Sequence, residues 1–547
     1  MTKVIFITGG VMSGLGKGTV AASIAKILQF RGFAVSMVKC DPYLNVDAGT
    51  MNPVEHGENF VCEEIWEFNP ARDFKFRIAE VDQDFGTYER FTGQCVHPSH
   101  NITSGQIYLS VILKERTGEF LGKTVQIIPH VTDEIKSRLK DILKEGKDFI
   151  IVEIGGTVGD IEGMPFLEAV RQLRIELGKE NSVLIHVTYV PYLSTIQQLK
   201  TKPTQHSLRK LLESGLIPDI IIARSEVELN EDARQKIALF SGLSKESIIS
   251  APNLSIIYEI PLAFERQNLG DLLLKKLMLK PKRDPMPGIS EWKKLVNMFR
   301  SANVEIKIAL VGKYTKIVDS YISIIEALKH AGAHNSLKVT PVFVDAERVD
   351  EKKLMTFDGI LLTPGFGVRA AEGMIQSAKI ALEKNIPFLG ICFGAQLATV
   401  AFARYIMKWE GANSTEIDPN TPYPVVDLLP GQRNVELMGG TMRLGAIKVR
   451  IIKNTILYKA YEKELIKERF RHRYHIIKKF ADKMTTRGYK VNAYDTDGNI
   501  VGFEVEGHPY FVGVQWHPEF KSRPFSPSPV YLSFIGAIKR YRLNFRV

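Results

Sequence analysis

Short apolar runs alternate with longer amphipathic stretches along most of the chain, and the alternation predicts two parallel α/β sheets in succession. In the first half, Val4–Ile7, Ala34–Asp41, Asp148–Ile154, Ser182–Val190, Asp219–Ala223 and Ser247–Ser250 read as buried strands, with Thr19–Arg31, Ile102–Arg116, Val131–Glu145 and Glu231–Phe240 as helices. In the second half, Lys307–Val311, Lys338–Val344, Asp358–Thr363 and Pro387–Ile391 alternate with helices over Asp319–Ala331, Ala370–Lys384 and Phe393–Ile406. Between the halves, Lys280–Gly288 holds three prolines and mixed charge and is followed by a helix around Trp292–Arg300, as in an ordered linker. The expected architecture is two doubly wound domains at residues 1–280 and 304–547, joined by a linker over 281–303. Glu58–Phe85 shows neither period and stays unassigned.

The turn after the first strand concentrates chemistry. Gly9, Gly10, Gly14, Gly16 and Gly18 let backbone N–H groups converge on an anion at a helix N-terminus, Lys17 adds a point charge, and Thr19 offers a hydroxyl to a phosphate-bound cation. The match to G-x-x-x-x-G-K-[ST] is a variant: five residues separate Gly10 from Gly16, and Gly18 intervenes before Thr19. Lys39 closes an apolar run at the sheet edge where ligands bind, and is either a ligand group or a solvated charge. Asp82 and Asp84 share one side if their segment is extended; Asp84, before Gly86, is either a magnesium ligand or a turn residue. Glu153 ends a strand and precedes a glycine turn with acidic groups at Asp160 and Glu162. Lys200–Gln205, with two lysines and two threonines, is either a polyphosphate clamp or a solvated basic loop.

A second centre lies at Pro387–Gln396, where a strand, Gly390-Ile391-Cys392-Phe393-Gly394 and a helix form a nucleophile elbow. Cys392 is the expected nucleophile. Val512–Phe520 supplies the base His517 and, beyond a proline, Glu519 to fix its tautomer.

Composition narrows the class. The net charge of +11 is spread along the chain without an RNP, zinc-finger or basic-zipper pattern, so small polyanions such as nucleoside triphosphates suit it better than nucleic acid. No apolar run reaches a membrane span and no secretory signal is visible. Cys40, Cys62, Cys95 and Cys392 form no C-x-x-C pair, which argues against zinc and for a reducing compartment; a cytoplasmic protein is expected.

With these pieces placed, the chain resembles the CTP synthase family nearly end to end: an ATP-dependent, P-loop-like amidoligase fused to a class I glutamine amidotransferase. GGVMSGLGKG, VKCDPYLNVDAGTMNP, FLGKTVQIIPHVT, VEIGGTVGDIEGMPFLEA, KTKPTQHS, FLGICFGAQ, NSTE, GGTMRLG, RHRY and VQWHPEF carry the resemblance. It implies amination of UTP to CTP with ammonia from glutamine through a 4-phosphoryl-UTP intermediate, in pyrimidine nucleotide biosynthesis, with an enclosed ammonia path. It implies an ATP loop at Gly14, Leu15, Gly16, Lys17, Gly18 and Thr19 with Asp84, catalytic roles for Lys17 and Lys39, and magnesium on Asp84 and Glu153. UTP, or CTP as feedback inhibitor, is implied at Ser13, Asp160, Ile161, Glu162, Lys200, Thr201, Lys202, Pro203, Thr204, Gln205 and Lys236. The triad is Cys392, His517 and Glu519, with glutamine at Gly365, Phe393, Gly394, Ala395, Gln396, Glu416 and Arg473. GTP is the implied activator, and the assembly a homotetramer able to form filaments, with no nucleic-acid or membrane partner.

Two departures carry expectations. Thr363-Pro364-Gly365-Phe366-Gly367 has one glycine fewer than the family's Pro-Gly-Gly-Phe-Gly, and a lost oxyanion donor costs roughly 10²–10³ in rate unless Gly365 fills the role. Val61–Val81 is longer than the family's stretch by about a dozen residues and lacks its acidic loop. The rival readings are another amidoligase with a fused glutaminase, a filament scaffold, and an ammonia-only synthetase.

Overall fold

The computed structural model describes residues 2–71, 74–433, 435 and 438–545. The chain forms two compact units. One comprises the residues up to Ala48 with Trp66–Ile78 and Asp84–Val296; the other comprises Gly49–Ile65, Ala79–Gln83 and the residues from Asn297 onward.

In the first unit a seven-stranded, wholly parallel sheet runs in the spatial order Ile248–Pro252, Ile220–Ser225, Ser182–Tyr189, Lys3–Gly9, Phe149–Ile154, Val35–Asp41 and Asn101–Thr103. Helices cover both faces, so the strands read as continuous apolar runs; every residue of Phe149–Ile154 is buried. Successive strands depart to opposite sides of Lys3–Gly9, which opens a crevice at its carboxyl end. The helix expected around Trp292–Arg300 begins earlier, at Met286, because Pro287 sits in the first turn, where its missing N–H costs nothing. Trp292 anchors it, donating its indole N–H to the Tyr258 carbonyl at 2.6 Å.

In the second unit Leu337–Asp345, Val304–Gly312, Gly359–Leu362, Phe388–Ile391 and Phe511–Val514 form the parallel part of a mixed twelve-stranded sheet. Ile500–Val505 joins it antiparallel, leading to an antiparallel extension that includes Arg443–Ile451 and Leu465–His472.

The unassigned stretch is a hairpin, Phe60–Ala71 paired with Phe74–Val81, and Arg72 and Asp73 lie outside the described residues. Both faces are buried at one end of the hairpin, over residues 60–62 and 78–81, and at most one face at the other, so no single period survives. The condition for Asp82 and Asp84 to share one side is not met, since Asp84 opens an α-helix, Asp84–Thr92. Among the described residues no helix is long and apolar enough to cross a membrane.

Candidate active sites

Parallel strands that end together bring their last residues to one edge. Lys39 and Glu153 are register partners there, and Glu153 also pairs with Ile7 of the central strand. The Lys39 ammonium lies 2.9 Å from Glu153 Oε1, 4.0 Å from Asp41 Oδ1, and donates to Asp84 Oδ2. The Tyr88 hydroxyl donates to the other Glu153 oxygen. Burial pushes the Asp41 carboxyl up to about 6 and raises that of Glu153. Burial acts on Asp84 in the same sense, but the Lys39 ammonium outweighs it and holds Asp84 below its ordinary range. Three carboxylates thus surround one ammonium.

The glycine loop fits around this cluster. Gly14 and Gly16 have φ of 74° and 78°, and Gly16 caps the helix Lys17–Phe30. Lys17 folds back across Gly9, where a Cβ would fall 2.9 Å from its Nζ, and donates to the Gly156 carbonyl at 2.8 Å. Burial lowers its pKa. A Cβ on Gly18 would fall 2.2 Å from Asp84 Oδ1. The glycine that breaks the P-loop pattern is therefore the one that lets the Asp84 carboxylate close onto the first helical turn.

Asp84 and Glu153 suit a hard divalent cation. Two carboxylates leave the remaining positions to phosphate oxygens and water, as magnesium prefers, and the Lys39 ammonium already occupies a cation position between them. Among the described residues no group of three His, Cys, Asp or Glu side chains has metal-holding geometry.

Beside the loop, Gly16, Thr19, Arg224, Asn253, Ile257 and Phe264 line a largely apolar cavity of about 170 Å³. Arg224 donates to the Leu15 carbonyl at 3.1 Å. It ends the strand Ile220–Ser225 much as Lys39 ends its own, so the same reasoning applied to that strand would have found it.

The other sequence candidates of this unit scatter. Ser13 is exposed; Ile161 is 86% exposed, and Asp160 and Glu162 beside it are exposed too. Asp160 accepts the Thr157 N–H at 3.1 Å. Lys202, Pro203, Thr204 and Gln205 open the helix Lys202–Glu213, with Lys200 and Thr201 just before it. Thr204 is fully buried and donates to the Tyr189 carbonyl, Gln205 donates to Thr201, Lys200 to Gln198, and Lys236 pairs with Asp232 on its own helix.

In the second unit, Phe388–Ile391 delivers Cys392 at φ 52°, ψ −109°, directly before the helix Phe393–Tyr405. The elbow needs its glycines: a Cβ on Gly394 would lie 2.4 Å from the Leu362 carbonyl oxygen and one on Gly390 2.9 Å from that of Gly394. Gly394→Ala must push backbone apart, and overpacking of this kind costs about 1–3 kcal/mol; a lowered melting temperature of this unit is the expected result.

Cys392 Sγ donates to the Arg471 carbonyl at 3.4 Å and lies 3.5 Å from Gln515 Nε2. His517 Nδ1 bonds Glu519 Oε1 at 2.7 Å, while His517 Nε2 is buried without a hydrogen-bond partner. Burial works against a charged His517, but the Glu519 carboxylate and the Cys392 sulfur outweigh it and push its pKa up to about 10. Because the folded value exceeds the ordinary 6.5, this stabilisation is complete below 6.5 and lost as pH rises through about 10. Thermal melts of wild type should fall over that window, and those of Glu519→Gln should fall less.

Cys392, His517 and Glu519 line one cavity of about 190 Å³ with Pro364, Gly365 and Phe366. Pro364 has no N–H, so oxyanion donors there come from Gly365 or Phe366 and from the free N–H of Phe393 at the helix start. Lys313 donates to the carbonyls of Phe366 and Gly367, Glu416 accepts the Gly367 N–H at 2.6 Å, and the loop is clamped from both sides. Burial lowers Lys313 to about 8. Phe393, Gly394, Ala395 and Gln396 are buried in the helix, where Gln396 Nε2 bonds Gln515 and the Tyr474 carbonyl. Arg473 is tied to Gln432, Thr441 and the Met438 carbonyl and, like Glu416, does not line the cavity.

Two features of this cavity escape sequence reasoning. Arg471 lines it, its guanidinium 5.1 Å from the Phe366 ring and held by Glu80 at 2.6 Å. Residues of Gly49–Ile65, from the N-terminal half of the sequence, complete its wall: Glu58 accepts the Ser323 N–H at 3.0 Å, and the Val61 carbonyl accepts from Arg469 at 2.8 Å. The RHRY motif, from which Arg473 was chosen, also contains Arg471; nothing signalled Glu58 or Glu80, which lie in the unassigned stretch.

Comparison with known proteins finds two families along the chain. Residues 3–279 fit the family described as CTP synthase N-terminus and residues 316–537 the class-I glutamine amidotransferase family. A CTP synthase of Pyrococcus abyssi is 49% identical over 547 residues, covering 99% of each chain, and one of Aquifex aeolicus is 46% identical, covering 100% of each. A solved structure, the glutaminase domain of Trypanosoma brucei CTPS with bound acivicin, is 32% identical, covering 43% of this chain and 94% of its own, with a TM-score of 0.41. This chain therefore belongs to the CTP synthase family, the glutamine-hydrolysing ligases that aminate UTP to CTP in pyrimidine biosynthesis.

Proposed function

We propose that the Lys39 cluster and the glycine loop transfer the γ-phosphoryl group of ATP to O4 of UTP, and that ammonia released at Cys392 displaces that phosphate. The observation that carries this reading is the convergence of Lys17, Lys39, Asp84 and Glu153 at the carboxyl edge of one sheet. The uracil O4 is a poor leaving group until phosphorylated. Lys17 and Lys39 stabilise charge on the transferring group, the loop N–H groups hold the triphosphate, and the cavity at Thr19 and Arg224 accepts the adenine. When bound at Asp84 and Glu153, magnesium neutralises phosphate charge.

At the other centre, Cys392 attacks the glutamine carboxamide, His517 passes a proton to the departing ammonia, and water then releases glutamate. We extend the reading to functional domains at 1–280 and 304–547, the assigned UTP and glutamine residues, feedback by CTP, activation by GTP, a homotetramer able to form filaments, and a cytoplasmic setting; these rest on the family resemblance.

Asp84→Asn tests the cation assignment. It should raise the magnesium concentration needed for half-maximal CTP formation; an unchanged magnesium dependence would remove Asp84 from the ligand set.

A further inference from the structure

Lys313 follows the strand Val304–Gly312 and is 6% exposed, yet it is not among the residues that line the cavity at Cys392. Its ammonium holds the loop that does. Nζ donates to the Phe366 carbonyl and, at 3.0 Å, to that of Gly367. In extended backbone two successive carbonyls point to opposite sides; Gly367, at φ 74°, turns the chain so that both meet one cation. Carbonyl dipoles that converge in this way repel unless a positive group lies between them.

The remaining side of the ammonium is closed by the Phe393 ring, whose centroid lies 4.7 Å from Nζ. Two carbonyls and a ring account for the three donors of an ammonium, and none is left to offer glutamine. The stem is placed as closely as the head: a Cβ on Gly365 would fall 3.1 Å from Lys313 Cε and 3.5 Å from Phe393 Cδ1. One side chain therefore packs against both backbone segments whose N–H groups can face the cavity, the loop at Gly365 and Phe366 and the helix start at Phe393. Pro364 has already removed one donor from the loop, so the hole depends on these. At pH 7 the ammonium is charged, since burial lowers it only to about 8, with Glu416 favouring the charge and Arg369 opposing it.

We propose that Lys313 is a positioning residue of the glutaminase: its ammonium fixes the peptides around Phe366 so that the Gly365 or Phe366 N–H, together with that of Phe393, meets the carboxamide oxygen that turns negative when Cys392 attacks. It acts on the tetrahedral state and not on bound glutamine. The inference rests on Cys392 as the nucleophile of the reading above. Glutamate release that survives Cys392→Ala would refute that reading, whereas the ratios below judge Lys313 alone.

Glutamate release by the full chain, with ATP, UTP and magnesium present, tests this through Lys313→Met, which keeps the stem and removes the charge. The variant should lower kcat about 100-fold, the scale of one lost oxyanion donor, while KM for glutamine changes by less than about threefold. Iodoacetamide alkylates a thiolate without forming an oxyanion, so labelling of Cys392, followed on its own peptide by mass spectrometry, should stay within about twofold of the wild-type rate. A raised KM with kcat retained would make Lys313 a glutamine ligand, and labelling outside that range would make it a packing residue of the elbow. Either result would overturn the assignment, as would an unchanged kcat.

Discussion

Cys392→Ala is expected to eliminate CTP formation from glutamine, by ~10⁶-fold as for loss of a nucleophile that acts as part of a unit, while CTP formation from ammonium continues at the wild-type rate. The split follows from geometry. Cys392 belongs to the helix-start elbow and to the cavity shared with His517 and Glu519, whereas Lys17, Lys39, Asp84 and Glu153 belong to the sheet edge of the other unit. Alanine keeps the small volume required there, so the fold should be undisturbed. Steady-state rates with each nitrogen source decide the matter, and a parallel loss with ammonium would mean that Cys392 does more than hydrolyse glutamine.

Lys39→Met is expected to abolish synthesis from both nitrogen sources and to destabilise its unit. Removing the ammonium leaves Asp41, Asp84 and Glu153 buried without their shared counter-charge, and breaking a buried pair in this way costs about 3–5 kcal/mol. The sign of the pH dependence follows from the carboxyls. The Asp41 carboxyl is already raised to about 6 by burial, and without Lys39 the group takes up protons more readily. The stability deficit should therefore shrink as pH falls toward about 6, where Asp41 takes up its proton in wild type too, and further at lower pH as Asp84, no longer held down by Lys39, is protonated in the variant first, while activity stays lost because the charge on the transferring phosphoryl group is no longer stabilised. Melts at pH 5 and pH 8 together with ammonium-dependent rates would check both halves.

The legible parts of this chain are those where one element sets the chemistry. Apolar runs of the parallel sheets, the glycine turn, and the Gly-x-Cys-x-Gly elbow follow from local sequence, because a strand buried on both faces and a positive-φ turn leave few alternatives. The His517–Glu519 pair and the strand-end positions of Lys39 and Glu153 were legible because spacing and strand ends predict them. Less accessible were contacts that join distant segments. Glu80 reaches Arg471 from a hairpin end buried on both faces, and Glu58 reaches Ser323 from the same unassigned stretch. Without a periodic signal, no local rule could assign either. Gly18 was read as a departure from the phosphate-loop pattern, and only the position of Asp84 explains it.

The most direct test of the coupled reaction uses UTP labelled with ¹⁸O at position 4, together with ATP, magnesium and glutamine labelled with ¹⁵N in its amide. If O4 is phosphorylated and then displaced by ammonia from the Cys392 centre, the ¹⁸O appears in inorganic phosphate and the ¹⁵N in the 4-amino group of CTP. Release of the ¹⁸O into water, or CTP formed without ¹⁵N, would contradict the account.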